Sequence, residues 1–211
     1  MAGPGPDGVR GVVFDIGNVL IEWNPERLYD RVVGPERRTR LFAEVDLHSM
    51  NNDIDAGAPF EATVTDWAAR HPDWADEIGH WHRSWGEMAS PVIAGTVELL
   101  EGLRAKGEVG LFALSNIGVE TFAMAVQAYP FLGEFDTAFV SGEMRIVKPD
   151  PAIYAAVEEA TGLGGPQLLF IDDRAENVEA AASRGWNVHQ FDGPDGLAAR
   201  LADEGLLERT A

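Results

Sequence analysis

The sequence predicts an α/β fold in which helices cover both faces of a parallel sheet. Short apolar segments alternate along the chain with segments whose apolar residues recur at helical spacing. The apolar segments are almost continuously hydrophobic, as is typical of strands buried on both faces of a parallel sheet. One long interval interrupts the alternation and predicts a helical insertion. The expected architecture is therefore a three-layer α/β core with an inserted helical cap.

Five segments are predicted to form the strands of the sheet. In chain order they are GVVFD (11–15), VGLFALS (109–115), TAFV (137–140), LLFID (168–172) and NVHQF (187–191). Four segments with apolar residues at helical spacing are predicted helices: TVELLEGLRAK (96–106), VETFAMAVQAY (119–129), PAIYAAVEEATG (151–162) and AENVEAAASRG (175–185).

The interval from about Trp23 to Ser90 contains helical patterns and no convincing strand. It is too long for a simple crossover, and it begins directly after the first strand. We therefore expect residues 7–22 and 91–211 to form the α/β core domain and residues 23–90 to form a helical cap subdomain. Two tryptophans near the junctions, Trp23 and Trp85, are candidates to wall a pocket.

The composition narrows the possible partners. The chain has 35 acidic residues against 16 Lys and Arg, a formal net charge of −19. Such a surface repels nucleic acid and anionic membranes, so neither is an expected partner. The absence of cysteine fits a reducing compartment, and the first ten residues lack the apolar core of a signal peptide. We expect a cytoplasmic monomer or homodimer.

Polar side chains lie at or just beyond the ends of four predicted strands. Because the carboxyl ends of parallel strands share one edge of the sheet, where ligands bind, these side chains should meet there. They are Asp15 after the first strand, Ser115 and Asn116 after the second, Lys148 beyond the third, and Asp172 and Asp173 after the fourth. Any one of them alone could be a helix cap. The agreement of four strand ends predicts a site.

The acidic members of this set predict a metal ion. Two adjacent carboxylates, Asp172 and Asp173, converging on Asp15 would repel one another unless one took up a proton or a cation were present. A hard divalent ion with oxygen ligands, most simply Mg²⁺, removes the repulsion and leaves positions for a phosphate. Lys148 and the Ser115 hydroxyl would face the same anionic oxygens.

In their order and spacing these motifs resemble the haloacid dehalogenase-like (HAD) hydrolases. The four motifs are FDIGNVL, LSN, the lysine of VKPDP, and IDDRAENVEAA, with a helical insertion between the first two. FDIGNVL, the early WNP and the spacing of the last motif are most similar to a bacterial sugar-phosphatase branch that includes an α-glucose-1-phosphate phosphatase. The resemblance implies a Rossmann-like core and a Mg²⁺-dependent phosphomonoester hydrolase acting on a small phosphorylated metabolite such as a sugar phosphate.

The resemblance also implies a role for each residue. Asp15 would be the nucleophile that forms an aspartyl-phosphate. Ser115 and Asn116 would bind the phosphoryl group, and Lys148 would neutralise charge on it and on Asp15. The metal would be held by Asp15, the Gly17 carbonyl and Asp173, with Asp172 at or beside it and with Asn177 and Asn18 as supporting residues.

Gly17 departs from the family pattern. Most phosphatases of this superfamily have an aspartate there that protonates the leaving group, and such acid–base help is worth ~10²–10⁴-fold in rate. Either the substrate has a good leaving group, such as an anomeric sugar oxygen, or another group supplies the proton. Asn18 through a water and a residue of the cap are the candidates for that group.

Two alternatives follow from the same departure. A metal-independent 2-haloacid dehalogenase expels a halide, which needs no proton, but the pair Asp172 and Asp173 would be costly in a metal-free site for a halide. The adjacent acids therefore favour the phosphatase. A protein that binds a phosphorylated ligand and hardly turns it over is the second alternative.

Overall fold

The computed structural model describes residues 8–209, and its centre is a five-stranded sheet in which every neighbouring pair is parallel. The strand order is β5-β4-β1-β6-β7. The strands of this sheet are β1 (Gly11–Phe14), β4 (Gly110–Ser115), β5 (Thr137–Val140), β6 (Leu168–Asp172) and β7 (Asn187–Gln190). Each coincides with a predicted strand to within one residue at either end, so the predicted parallel α/β fold is confirmed.

Twelve α-helices are found in the described part of the chain. Six of them lie in the insertion: α1 (Pro25–Val33), α2 (Pro35–Glu44), α3 (Leu47–Asp55), α4 (Phe60–Arg70), α5 (Ala75–Arg83) and α6 (Trp85–Met88). The other six are α7 (Ala94–Lys106), α8 (Val119–Ala128), α9 (Ser141–Met144), α10 (Pro151–Thr161), α11 (Ala175–Ser183) and α12 (Pro194–Asp203). The four predicted helices correspond to α7, α8, α10 and α11. Within residues 8–209 no helix is both long and apolar enough to cross a membrane.

Alternate residues of β1 pack on opposite faces of the sheet, which produces the three layers. Val12 and Phe14 belong to one buried cluster together with leucines of α7 and α12. Val13 belongs to a second cluster that contains apolar residues of α10 and α11. All four residues of β1 are buried, and burial of each large apolar side chain contributes about 1.5–3 kcal/mol. This burial holds the strand at the centre of the sheet.

Two short strands join the insertion to the core, and the sequence did not predict them. They are β2 (Ile21–Trp23) and β3 (Ala89–Val92), which pair antiparallel in a separate two-stranded sheet. With three and four residues and partial exposure, they are too short to show an alternating pattern. Helices α1–α6 lie between them in the chain, so both connections to the insertion run side by side.

The insertion has its own aromatic cluster. Trp81 and Tyr29 are fully buried, and the ring of Trp23 lies 5.9 Å from that of Trp81 and 6.0 Å from that of Trp85. Each of the five arginines between positions 27 and 40 forms an ion pair with an acidic residue. The pairs are Arg27–Glu22, Arg31–Glu87, Arg37–Glu77, Arg38–Asp30 and Arg40–Glu44. These arginines are therefore engaged on the surface of the insertion.

Candidate active site

A cavity of about 340 Å³ lies between the carboxyl edge of the sheet and the inserted helices. All of the predicted site residues line it except Asp172, which is fully buried behind it. The core contributes Asp15, Gly17, Asn18, Ser115, Asn116, Lys148, Asp173 and Asn177. The other wall includes Trp23, His48, Asn51, Asp55 and Trp85. The structure thus brings the four strand ends together, as the sequence predicted.

The register of the sheet explains why Asp15 lies at this edge. Phe14 is paired with Ala113 on one side and with Ile171 on the other. Asp15 is the next residue, and its N–H donates to the Ile171 carbonyl over 2.9 Å. Asp15 therefore lies at the level of Asp172.

Lys148 is the central cation of the site. Its Nζ lies 3.0 Å from Oδ1 of Asp15 and 2.6 Å from Oδ2 of Asp172. Only 4% of Lys148 and 7% of Asp15 is exposed, so these charges are screened little by solvent. One ammonium thus faces two buried carboxylates.

Asn116 positions the main chain of Lys148. Its Oδ1 accepts a hydrogen bond from Lys148 N over 2.7 Å, and its Nδ2 donates to Lys148 O over 2.9 Å. The Asn116 side chain is therefore occupied, and its contacts favour a positioning role over the predicted direct contact with phosphate.

Both carboxylate oxygens of Asp172 are likewise occupied by hydrogen bonds from other residues of the protein. One of its oxygens accepts from the N–H of Arg174 at 2.9 Å, the other from Lys148, and Nδ2 of Asn177 lies 3.0 Å from both. Asn177 is fixed in turn by Tyr154, whose hydroxyl donates a hydrogen bond to the main-chain carbonyl of Asn177 over 3.0 Å. These contacts favour a role for Asp172 beside the metal, where it orients Lys148. They argue against Asp172 as a direct ligand of the metal.

The loop after Asp15 turns the chain back towards β2. Asn18 has a φ of 55°, in the left-handed region that Asn tolerates better than most residues. Its Oδ1 accepts from the N–H of Trp23 at 3.0 Å, and its Nδ2 donates to Oδ2 of Asp173 at 3.3 Å. Asn18 thus links the first strand end to the fourth.

Gly17 lies in an open part of this loop. A Cβ at position 17 would come no closer than 3.9 Å to a neighbouring side chain, that of Trp23, and the φ of Gly17 is not positive. Neither crowding nor backbone conformation therefore requires a glycine at this position.

The carboxylates of the site carry an excess of negative charge. Burial raises the pKa of Asp15 to about 7, against the opposing effect of Lys148, and Asp172 adds to the rise. Burial, with Asp172, also raises the pKa of Asp173. Burial opposes the charge of Lys148, but Asp15 and Asp172 outweigh it and raise its pKa.

This donor set fits a hard divalent cation. Carboxylate oxygens of Asp15, Asp172 and Asp173 lie within 4.8 Å of one another, so a cation held by Asp15 and Asp173 would also face the charge of Asp172. Oxygen donors of this kind suit Mg²⁺. A cation would also lower the raised pKa values of Asp15 and Asp173 by offsetting the effect of burial and the repulsion by Asp172.

Asp55 lines the cavity from the inserted side and was not predicted from the sequence. It is the last residue of α3, and Nδ2 of Asn51, one turn earlier, donates to its Oδ2 over 2.8 Å. Burial raises the pKa of Asp55 to about 8, and the nearby charge of Asp15 adds to the rise. No sequence signal distinguishes it from the other polar residues of the segment HSMNNDID.

A family model described as a haloacid dehalogenase-like hydrolase matches residues 9–185. The chain belongs to the haloacid dehalogenase-like hydrolases. The predicted membership of this superfamily is confirmed, and the protein is an enzyme of the hydrolase class. The narrower sugar-phosphatase branch stays a prediction.

Two curated relatives of this HAD-like hydrolase are fungal. The sesquiterpene phosphatase astK of Aspergillus oryzae is 24% identical over 190 residues, which cover 83% of this chain and 86% of the relative. The drimenol cyclase drtB of Aspergillus calidoustus is 22% identical over 200 residues, which cover 92% of this chain. The chain corresponds to only 36% of the cyclase's length.

Two solved structures share the fold of this HAD-like hydrolase. One is the HAD family enzyme bt-2542 of Bacteroides thetaiotaomicron, in complex with magnesium and inorganic phosphate, with a TM-score of 0.67 and 21% identity over 88% of this chain and 96% of that one. The other is the L-2-haloacid dehalogenase of Xanthobacter autotrophicus, with a TM-score of 0.61 and 18% identity over 94% of this chain and 84% of that one. At these identities the likeness concerns the fold alone.

Proposed function

We propose that this HAD-like hydrolase is a Mg²⁺-dependent phosphatase that hydrolyses a small phosphorylated metabolite, such as a sugar phosphate, through an aspartyl-phosphate on Asp15. The observation that carries the proposal is the group of three carboxylates, those of Asp15, Asp172 and Asp173, of which two share the single ammonium of Lys148. Three carboxylates would repel an anionic phosphate, so a phosphate can bind beside them only if a cation offsets their charge. The phosphatase relative and the fold neighbour with magnesium and phosphate support the proposal.

In this proposal Asp15 attacks the phosphorus and displaces the ester oxygen. The Lys148 ammonium beside Asp15 lowers the charge repulsion between the carboxylate and the phosphoryl oxygens. The Ser115 hydroxyl, which is buried next to Asp15, donates a hydrogen bond to one of those oxygens. Positioning and charge neutralisation of this kind account for most of the catalysis in phosphoryl transfer.

Asp15, Asp173 and the Gly17 carbonyl would hold Mg²⁺, and Asn18 would orient Asp173 through their hydrogen bond. When bound, Mg²⁺ would offset the charge of Asp15 and of the phosphoryl oxygens. Asp172 and Asn177 would keep Lys148 in place. We propose further that helices α1–α6 act as the cap and that Trp23 and Trp85 contact the organic part of the substrate.

The dehalogenase remains the second candidate, because a dehalogenase shares the fold and because Gly17 provides no acid. The acids Asp172 and Asp173 argue against it, since a halide site gains nothing from them. We also retain a cytoplasmic location, and a monomer or homodimer, as expectations.

The test is hydrolysis of p-nitrophenyl phosphate by the purified protein with Mg²⁺ and with EDTA, beside 2-chloropropionate without metal. Phosphate release that EDTA abolishes and Mg²⁺ restores is the expected result. Chloride release without metal would overturn the proposal in favour of the dehalogenase. Tight phosphate binding without either turnover would favour the ligand-binding protein.

A further inference from the structure

Two carboxyl side chains that line the cavity, Asp55 and Glu22, have no part in the proposed reaction so far, and Glu22 is partly exposed and paired with Arg27. Asp55 comes from inserted helix α3, whereas Asp15, Lys148 and Asp173 come from the core. The other titratable side chain that α3 contributes to the cavity, His48, is exposed to solvent and packs edge-on against Phe42.

The geometry of phosphoryl transfer places the leaving group on the side of Asp55. The attacking and leaving oxygens lie roughly in line on opposite sides of the phosphorus. Asp15 attacks from the edge of the sheet, so the leaving oxygen points towards the inserted helices that form the opposite wall. A proton donor for that oxygen must therefore belong to this wall or to position 17, where the chain has a glycine.

The end of α3 is fixed against the core. The buried Ser141 hydroxyl donates to the Asp55 carbonyl over 2.6 Å and accepts from the N–H of Ile117 over 2.9 Å. A Cβ at Gly118 would lie only 2.7 Å from Ile54, so the loop beyond Ser115 and the last turn of α3 are in close contact. The main chain of Asp55 is thus held in place relative to the loop that follows Ser115.

The carboxyl of Asp55 is oriented by the insertion itself. Asn51 donates to its Oδ2, and Oδ1 of Asn51 accepts from Nε1 of the buried Trp81 over 3.2 Å. Asn51 therefore orients one oxygen of the Asp55 carboxyl, and the Gly118 amide contributes a further hydrogen bond to the same carboxyl. This arrangement suits an acid that must be pre-organised before the substrate enters.

We propose that Asp55 is the general acid and base of the reaction and takes the role that Gly17 leaves vacant. This proposal rests on the phosphatase function proposed above. As the Asp15 oxygen bonds to phosphorus and the ester P–O bond breaks, the Asp55 proton passes to the leaving oxygen, which departs as the alcohol. The Asp55 carboxylate then takes a proton from the water that attacks the aspartyl-phosphate. Phosphate leaves, and both carboxyls return to their starting states.

The environment of Asp55 supports this role. A general acid must carry its proton near neutral pH, and burial raises the pKa of Asp55 to about 8, while the Gly118 amide and Lys148 act in the opposite direction. The exposed Asp53, two residues earlier on the same helix, lies outside the cavity and offers a matched control.

The test compares phenyl phosphate with p-nitrophenyl phosphate, which have similar shapes but leaving groups of different basicity. For Asp55→Asn we expect kcat/KM for phenyl phosphate to fall by ~10²-fold or more, with a much smaller loss for p-nitrophenyl phosphate. Because the base is also lost, the aspartyl-phosphate should accumulate and give a burst of about one nitrophenolate per enzyme. Asp53→Asn should change neither substrate's kinetics.

A second variant tests whether position 17 and position 55 share one role. In the Asp55→Asn background, Gly17→Asp should recover phenyl phosphate hydrolysis, since a Cβ at position 17 would meet only ordinary contact distances. Circular dichroism checks folding, and Asp55→Ser replaces the Asn variant if that variant is unfolded. Equal losses for both substrates without a burst would overturn the role of Asp55 and leave the phosphatase standing. A wild type without Mg²⁺-dependent hydrolysis would overturn both proposals.

Discussion

The Nζ atom of Lys148 lies 3.0 Å from Oδ1 of Asp15, and both side chains are almost completely buried. Lys148 also binds Asp172, so a single positive charge serves two carboxylates that come from different strand ends. The pair therefore connects the stability of the protein with the reactivity of Asp15.

Lys148→Met should destabilise the protein by about 3–5 kcal/mol near neutral pH, because it leaves buried carboxylates without their cation. Without Lys148, the folded-state pKa of Asp15, which burial already raises above its ordinary value, should rise further. A raised carboxyl pKa makes stability fall as the pH increases, so the variant should be less stable at pH 8 than at pH 5. Urea unfolding at both pH values measures this, with the partly exposed Lys106→Met as the control. Equal destabilisation by the two substitutions would contradict the prediction.

Asp15→Asn should reduce turnover by about 10⁴-fold or more, because an amide is a poor nucleophile and a weaker metal ligand. The fold should remain, since Asn preserves the shape of the side chain and its oxygen can still accept from the N–H of Ile16. Phosphate release and the melting temperature are the measurements. Residual activity within tenfold of wild type would exclude Asp15 as the nucleophile.

Asp173→Asn should lose Mg²⁺-dependent hydrolysis while the metal-free protein keeps its fold and becomes slightly more stable. The substitution removes a ligand charge and also relieves the repulsion by Asp172 that contributes to the raised pKa of Asp173. Titration calorimetry with Mg²⁺ and thermal unfolding without it measure the two effects. Unchanged Mg²⁺ affinity in this variant would contradict the metal site.

Mg²⁺ affinity should fall as the pH decreases from 8 to 6. Burial raises the pKa of Asp15 to about 7 in the metal-free protein, so below that pH a proton must leave before the metal binds. For one released proton the affinity falls by up to about tenfold per pH unit. Calorimetry in buffers of different ionisation enthalpy detects the proton, and a pH-independent affinity would argue against Asp15 as a ligand.

Gly17→Asp in the otherwise wild-type chain should fold normally, since a Cβ at this position meets ordinary contact distances and φ is not positive. The added carboxyl places a second acid in the cavity beside the one proposed at Asp55. Because Asp55 is proposed to protonate the leaving oxygen already, the ratio of kcat/KM for alkyl phosphates to that for p-nitrophenyl phosphate should change little. A much larger gain for the alkyl phosphates would show that the wild type lacks an effective acid and would argue against Asp55.

The sequence by itself determined the layered core, because strand and helix periodicities are local properties of the chain. It also determined which edge carries the site, since parallel strands present their carboxyl ends together and Asp15, Ser115 and Asp173 stand at those ends. The pattern of apolar residues was enough for this, and no long-range contact had to be known.

Only the tertiary structure decided which polar groups of the site bond to one another. The engagement of Asn116 with Lys148, and of Asp172 with Lys148 and Asn177, depends on contacts between distant segments, and no periodicity encodes these contacts. The same holds for β2 and β3, which are stabilised by pairing with each other. Asp55 faces the cavity because the end of α3 packs on the loop beyond Ser115, and that packing, not its local sequence, buries the carboxyl and raises its pKa.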